Sequence, residues 1–105
     1  MIIHRLKKDH QKPDHEKPVR FFKALGHSTR LEILAALLKG KKCVGDINKL
    51  IDVHQPNISQ HLAILKVAGI VCSKQKGKKV CYSLTDRTLI KRLFNSLLSQ
   101  RSHQC

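Results

Sequence analysis

Residues 44–69 read VGDINKLIDVHQPNISQHLAILKVAG and contain two short helical patterns separated by a few polar residues. In the first pattern, apolar residues recur every three or four positions from Val44 to Ile51, as they do along one face of a helix. The second pattern starts at Pro56, because a first helical position tolerates the missing N–H of proline, and it ends at Gly69. This stretch therefore predicts two helices joined by a short turn.

The second of these helices has an unusual polar face. The apolar face of this helix consists of Ile58, Leu62 and Leu65. The opposite face consists of Asn57, Ser59 and Gln60. A face that is merely solvated usually carries Glu and Lys, whereas this one carries amides and a hydroxyl. Since Asn and Gln side chains can pair with adenine in the major groove, the composition of this face indicates DNA recognition.

Residues 70–84 predict a β-hairpin that follows the helix pair. Two runs rich in β-forming residues flank a turn that contains Lys76 and Gly77. No Asp or Glu occurs between Val53 and Thr85. The tip carries the four lysines Lys74, Lys76, Lys78 and Lys79. Lysines at this place can neutralise phosphates and position a protein on a duplex without reading its sequence.

Three further helices surround this unit. One covers residues 19–25, a second starts at the capping-box pair Thr29 and Glu32, and a fifth helix starts at Asp86. The fifth helix has an apolar stripe too extensive for solvent, so we expect it to form a homodimer interface together with the first helix. The predicted fold class is mainly α with a small β-hairpin (α+β), a winged helix-turn-helix with about five helices and a two-stranded wing.

Length and charge limit the domain organisation and the partner. The chain has 105 residues, enough for one domain, and carries a formal charge of +14. Such an excess of basic residues favours an anionic partner. We divide the chain into a polar arm (residues 1–18), a folded domain (19–100) and a tail (101–105). Because no apolar run approaches the ~20 residues of a membrane span, we predict a cytoplasmic protein without a membrane partner.

Several motifs resemble the ArsR/SmtB family of bacterial repressors. These are ALGHSTRLEIL at residues 24–34, CVGD at 43–46, QPNISQHL at 55–62 and GIV at 69–71. The resemblance extends over residues 19–98. It implies a homodimer that binds an inverted-repeat operator in double-stranded DNA and leaves it when a metal(loid) ion or a thiol-reactive signal arrives. By position, the residues that match the base-reading residues of the family are Gln55, Asn57, Ser59 and Gln60.

The resemblance also directs attention to metal sites. In this family, two cysteines two positions apart hold arsenite. Here the residue two positions after Cys43 is Gly45, so the second cysteine is missing. The zinc site on the fifth helix is also incomplete, since Thr88 stands where a histidine is needed. Cys43 and Asp46 resemble one half of a third site, which N-terminal ligands complete. Here those ligands could be His4, His10 or His15. The predicted ligand set is Cys43, Asp46, His10 and His15. Thiolate, imidazole and carboxylate suit zinc or a similar ion. The alternative is a packed thiol, a surface acid and solvated histidines.

A cysteine pair in the hairpin offers a redox site instead. If the hairpin closes around Lys76 and Gly77, Cys72 and Cys81 lie directly opposite each other, with Cβ atoms about 4.5–5.5 Å apart. Nearby lysines favour the thiolate form. The alternative is that both cysteines only pack beneath the wing, because disulfides are uncommon in the cytosol.

Two other functions remain open at this point, a protein–protein adaptor that uses the same fold and a repressor without an effector. An adaptor would dock its basic face on an acidic partner. An enzyme is not expected, because no nucleophile is paired with a base and an orienting acid.

Overall fold

The computed structural model describes residues 13–51 and 57–99. Its elements are α1 (Pro13–Leu25), α2 (Ser28–Leu38), β1 (Lys42–Cys43), α3 (Val44–Leu50), α4 (Ile58–Val67), β2 (Val71–Lys76), β3 (Lys79–Leu84) and α5 (Arg87–Leu98). The strands form an antiparallel sheet in the order β1-β3-β2. The predicted winged helix-turn-helix is confirmed, and the structure adds β1, which at two residues is too short to produce a sequence pattern.

The core is formed where α2 packs against the other helices and β3. Its most deeply buried side chains are Ile33, Leu34, Ile47, Leu62, Leu65 and Ile90. Each buried Leu or Ile contributes roughly 1.5–3 kcal/mol relative to an exposed side chain. None of the helices in the two described ranges has the length and apolarity that a membrane crossing requires.

Helix α1 begins at Pro13, six residues before the predicted start at Val19. Pro18 lies inside this helix, where its ring removes one backbone hydrogen bond. The polar composition of residues 13–18 and their two prolines are the features that favoured a polar arm there. Tertiary packing holds the helix, because Ala24 is buried and Phe21 packs against the core. The division of the chain at residue 19 remains a prediction.

The start of α2 differs from the predicted capping box. His27, not Thr29, is the N-cap residue, and its Nδ1 accepts a hydrogen bond from the backbone N–H of Thr29 at 3.0 Å. Thr29 itself is buried within the first turn. The capping-box prediction was wrong because an imidazole nitrogen can replace the oxygen acceptors that usually occupy an N-cap. By contrast, the predicted cap of α5 is confirmed, since Asp86 Oδ1 accepts from the N–H of Leu89 at 3.0 Å.

The turn of the hairpin lies one residue later than expected. Lys76 pairs with Lys79, so the loop is Gly77 and Lys78, and Gly77 has a φ of 64°. Tight hairpin turns need a positive φ at their first loop residue, which favours glycine there.

This register changes the partners of the hairpin cysteines. Cys72 lies opposite Ser83, so the predicted pairing of Cys72 with Cys81 was wrong. A shift of the turn centre by one residue displaces every cross-strand pair by two residues. Cys81 is instead paired with Cys43 of β1.

Candidate nucleic-acid interface

Helix α4 presents its polar face to solvent because its apolar face is anchored in the core. Ile58 and Leu62 are buried, whereas Asn57, Ser59 and Gln60 are exposed. The backbone carbonyl of Asn57 accepts hydrogen bonds from the next turn and so fixes the start of the helix. Three of the four predicted base-reading residues therefore lie together on one exposed surface.

Gln55, the fourth of these residues, lies outside the described residues, as does Pro56.

The wing lies beside the end of α4 and is joined to it by a side-chain hydrogen bond. Lys66 Nζ of α4 donates to Ser73 Oγ of β2 at 2.8 Å. The four predicted phosphate-contacting residues Lys74, Lys76, Lys78 and Lys79 are all exposed on the hairpin. The polar face of α4 is thus accompanied by a positively charged hairpin.

Three basic side chains form a cluster that connects α4 to the start of α2, and the sequence did not predict this contact. The rings of His27 and His61 have centroids 4.4 Å apart, and Nδ1 of His61 lies 3.3 Å from Nη1 of Arg30. Burial lowers the pKa of His61, and the nearby charges of His27 and Arg30 lower it further. His61 lies 31 residues from Arg30 in sequence, so no local spacing indicates this contact.

Two of the cysteines are joined. Cys43 and Cys81 form a disulfide between β1 and β3, and Cys81 is buried. Cys72 is exposed and free, with its Sγ 3.4 Å from Ser83 Oγ. Cys105 lies outside the described residues.

The predicted metal ligands are only partly described. The carboxylate of Asp46 accepts a hydrogen bond from the backbone N–H of Cys43 at 3.3 Å and so caps α3. His15 lines a groove of about 430 Å³ together with Arg20 and Arg30. His10 lies outside the described residues. Within residues 13–51 and 57–99, no group of three or more His, Cys, Asp or Glu side chains is placed to hold a metal ion.

Known proteins similar to this chain are bacterial regulators. The family model described as "Bacterial regulatory protein, arsR family" matches residues 27–73. A cadmium resistance transcriptional regulatory protein CadC homolog from Staphylococcus aureus is 36% identical over 100 residues, which is 94% of this chain and 83% of that protein. The arsenical resistance operon repressor of Escherichia coli is 41% identical over 69 residues, but these are only 59% of its length.

Solved structures agree with this comparison. HlyU from Vibrio cholerae is similar with a TM-score of 0.70 and 30% identity, over 81% of this chain and 96% of that chain. The transcriptional repressor BigR from Xylella fastidiosa has a TM-score of 0.66 and 30% identity, over 85% and 93% of the two chains. The members of this family are transcriptional regulators rather than enzymes. With its winged helix-turn-helix and these relatives, the chain belongs to the ArsR/SmtB family of DNA-binding transcriptional repressors.

Proposed function

We propose that this protein is a homodimeric repressor that binds an inverted-repeat operator, with α4 in the major groove and the wing on the flanking backbone. The observation that carries the proposal is the exposed amide face of α4. Asn57 and Gln60 are exposed there while the opposite face of the helix is buried. A helix ~10–12 Å across fits the major groove of B-DNA, where amides can pair with adenine.

The wing supplies the sequence-independent part of this proposal. Its exposed lysines lie on the hairpin that Lys66 and Ser73 join to α4. Contacts from these lysines to phosphates orient the helix, and their number sets the salt dependence of binding. Because the partner is DNA, we place this function in the cytoplasm.

The proposed dimer uses the first and fifth helices. On α1, Val19 is 50% exposed and Phe22 is 63% exposed; on α5, Leu97 and Leu98 are 67% and 70% exposed. Apolar side chains left in solvent on two helices favour an interface that covers both. A two-fold dimer presents two copies of α4, which agrees with an inverted repeat.

The proposed effector site is the thiol pair Cys43 and Cys81. In the reduced protein, hydrogen peroxide oxidises the two thiols: the S–S bond forms, the O–O bond breaks, two electrons and two protons pass to the peroxide oxygens, and two water molecules leave. This bond joins the start of α3 to β3, the central strand of the sheet. Oxidation of the pair therefore affects both parts of the proposed interface, the helix pair and the wing.

Metal binding through Cys43, Asp46, His10 and His15 is the second proposal for the effector. It needs the reduced thiolate of Cys43, so the ion and the disulfide exclude each other at this residue. Reduced protein titrated with zinc should then become resistant to oxidation by peroxide, and unchanged oxidation in the presence of zinc would contradict this set of ligands.

The experiment that tests the proposed function starts from a random duplex library. Sequences retained by the protein are enriched, and their affinity is compared with that of a random duplex by fluorescence anisotropy at two salt concentrations. We expect an enriched inverted repeat that binds at least ~10³-fold more tightly than the random duplex. Equal affinities for all duplexes, or no DNA binding, would favour the protein–protein adaptor. Release of the repeat by neither peroxide nor zinc would indicate a repressor without an effector.

A further inference from the structure

We infer that Arg30 is a positioning residue that sets the orientation of α4 relative to α1 through His61. This inference rests on the proposed function, because it concerns the helix proposed to read bases. Arg30 lies on α2, is half-buried, and is not part of the exposed amide face of α4. Its guanidinium reaches both α1 and α4 from the helix between them.

On one side, the guanidinium donates hydrogen bonds to backbone carbonyls at the carboxyl end of α1. Arg30 Nε donates to the carbonyl of Ala24 at 2.7 Å, and Nη2 donates to the carbonyl of Lys23 at 3.3 Å. The last carbonyls of a helix have no partner within the helix, so these bonds fix the end of α1. A guanidinium is also rigid and planar, and it holds several acceptors in one fixed geometry.

On the other side, the same guanidinium meets α4. Nη1 of Arg30 lies 3.3 Å from Nδ1 of His61. Since a guanidinium has donors only, Nδ1 must accept, and the imidazole is then neutral with its proton on Nε2. His61 follows Gln60 directly, so the contact is made on the residue next to a proposed base-reading side chain.

His27 holds the ring of His61 from a second direction. Its ring centroid lies 4.4 Å from that of His61, and its own Nδ1 is occupied by the N–H of Thr29 at 3.0 Å. His27 is thereby fixed to the start of α2. The ring of His61 is in contact with both His27 and Arg30, two side chains anchored to α1 or α2.

The consequence for DNA reading is geometric. A rotation of α4 by ~20° about its axis moves a side-chain tip at a radius of ~6 Å by ~2 Å. Hydrogen bonds to base edges, at about 2.9 Å, do not survive such a displacement. The Arg30–His61 contact therefore matters for base-specific binding and much less for phosphate contacts. It also links α1, the proposed dimer helix, to α4.

The test compares two substitutions of His61 that differ in the acceptor. In His61→Asn, the amide oxygen takes a position close to that of Nδ1, whereas His61→Leu removes the acceptor at similar volume. We expect His61→Leu to weaken binding of the enriched operator at least ~10-fold, the loss typical of a hydrogen bond to a charged group. We expect His61→Asn to stay within about threefold of the wild type, with random-duplex affinity unchanged in both.

Arg30 supplies a second variant and a coupling measurement. Arg30→Lys keeps the charge, but one ammonium cannot reach the two carbonyls and the imidazole in the same geometry. We expect it to lose operator affinity as His61→Leu does, and the double variant should lose no more than either single one. Thermal unfolding of each variant shows whether it folds, and if His61→Leu does not fold, Arg30→Lys decides.

Four outcomes separate the explanations. Wild-type affinity for the operator in Arg30→Lys or His61→Leu would overturn the inference. Equal losses in His61→Asn and His61→Leu would also overturn it, because the acceptor would then be irrelevant. A parallel loss on operator and random duplex would indicate a general structural defect, which contradicts a positioning role. If the wild type itself shows no preference for any duplex, the proposed function fails, and not this inference alone.

Discussion

Cys43 of β1 lies directly opposite Cys81 of β3, and the two form a disulfide that joins the start of α3 to the wing sheet. Cys43 and Cys81 are separated by 38 residues, and only the fold brings them together. The wing and the helix pair contact different parts of a duplex in the proposed complex. A covalent link between them therefore restricts how the wing adjusts to the DNA backbone.

We predict that oxidation of this pair by peroxide weakens operator binding by about tenfold or more, a change of about 1.4 kcal/mol. Anisotropy titrations of the reduced and the oxidised protein measure the change. Cys81→Ser should make the affinity insensitive to peroxide, whereas Cys72→Ser, which alters the exposed free thiol, should remain sensitive. Sensitivity that disappears in Cys72→Ser and persists in Cys81→Ser would show that the pair has no regulatory role.

The apolar faces of α1 and α5 predict a second result. Leu97→Ser should weaken dimerisation, because Leu97 is 67% exposed on α5 and loses its burial against a partner protomer. Analytical ultracentrifugation measures the dissociation constant. Leu50→Ser is the matched control, since Leu50 is 59% exposed on α3, a helix that is not part of the proposed interface. If both variants dimerise like the wild type, the interface lies elsewhere.

Stability should depend on the charge of His61. The pKa of His61 is lowered below its usual value of 6.5 by burial and by the nearby charges of His27 and Arg30. Its neutral form is thus favoured in the folded state, and its contribution is complete above the unfolded pKa of about 6.5. The free energy of unfolding should then decrease as the pH falls through the lower folded pKa.

Urea unfolding between about pH 7.5 and pH 5 measures this dependence, and His61→Asn should reduce its slope. A comparison with His15→Asn controls for the replacement of an imidazole as such, because His15 lies on α1 outside the cluster. A slope equal to that of the wild type in His61→Asn would refute this assignment.

The exposed lysines of the wing predict how the affinity for DNA depends on salt concentration. Lys78→Ala should weaken binding to every duplex alike and reduce the slope of log K against log salt by about 0.9, the value for one lost phosphate contact. Titrations at several salt concentrations give the slope. Lys39→Ala removes one exposed lysine at the end of α2, which is not part of the hairpin, and should leave the slope unchanged. Identical slopes for wild type and Lys78→Ala would remove Lys78 from the interface.

The sequence alone predicted the helix-turn-helix and the exposed face of α4, because both depend on local periodicity. Burial of Ile58 and exposure of Gln60 follow from one helical repeat. Contacts between distant segments were not predictable in this way. The disulfide depends on the pairing of a two-residue strand with β3, and the wrong hairpin register arose from a turn displaced by one residue.

The cluster of His27, Arg30 and His61 is also a contact between distant segments, so the sequence did not predict it. Arg30 resembles an ordinary surface residue of α2 until the packing of α1 and α4 is known. His27 was missed as a helix cap because imidazole is a rare N-cap acceptor. The proposed set of metal ligands remains a prediction, since His10 lies outside the described residues.

The central claim is that α4 reads bases through its amide face, and Gln60→Ala tests it most directly. The variant and the wild type are titrated against the enriched operator, against operators with single base-pair changes, and against a random duplex. We predict that Gln60→Ala loses discrimination at one position of each half-site, worth about 1–3 kcal/mol, while its affinity for the random duplex stays the same. Undiminished discrimination at every position, in a variant that folds and dimerises normally, would contradict the claim.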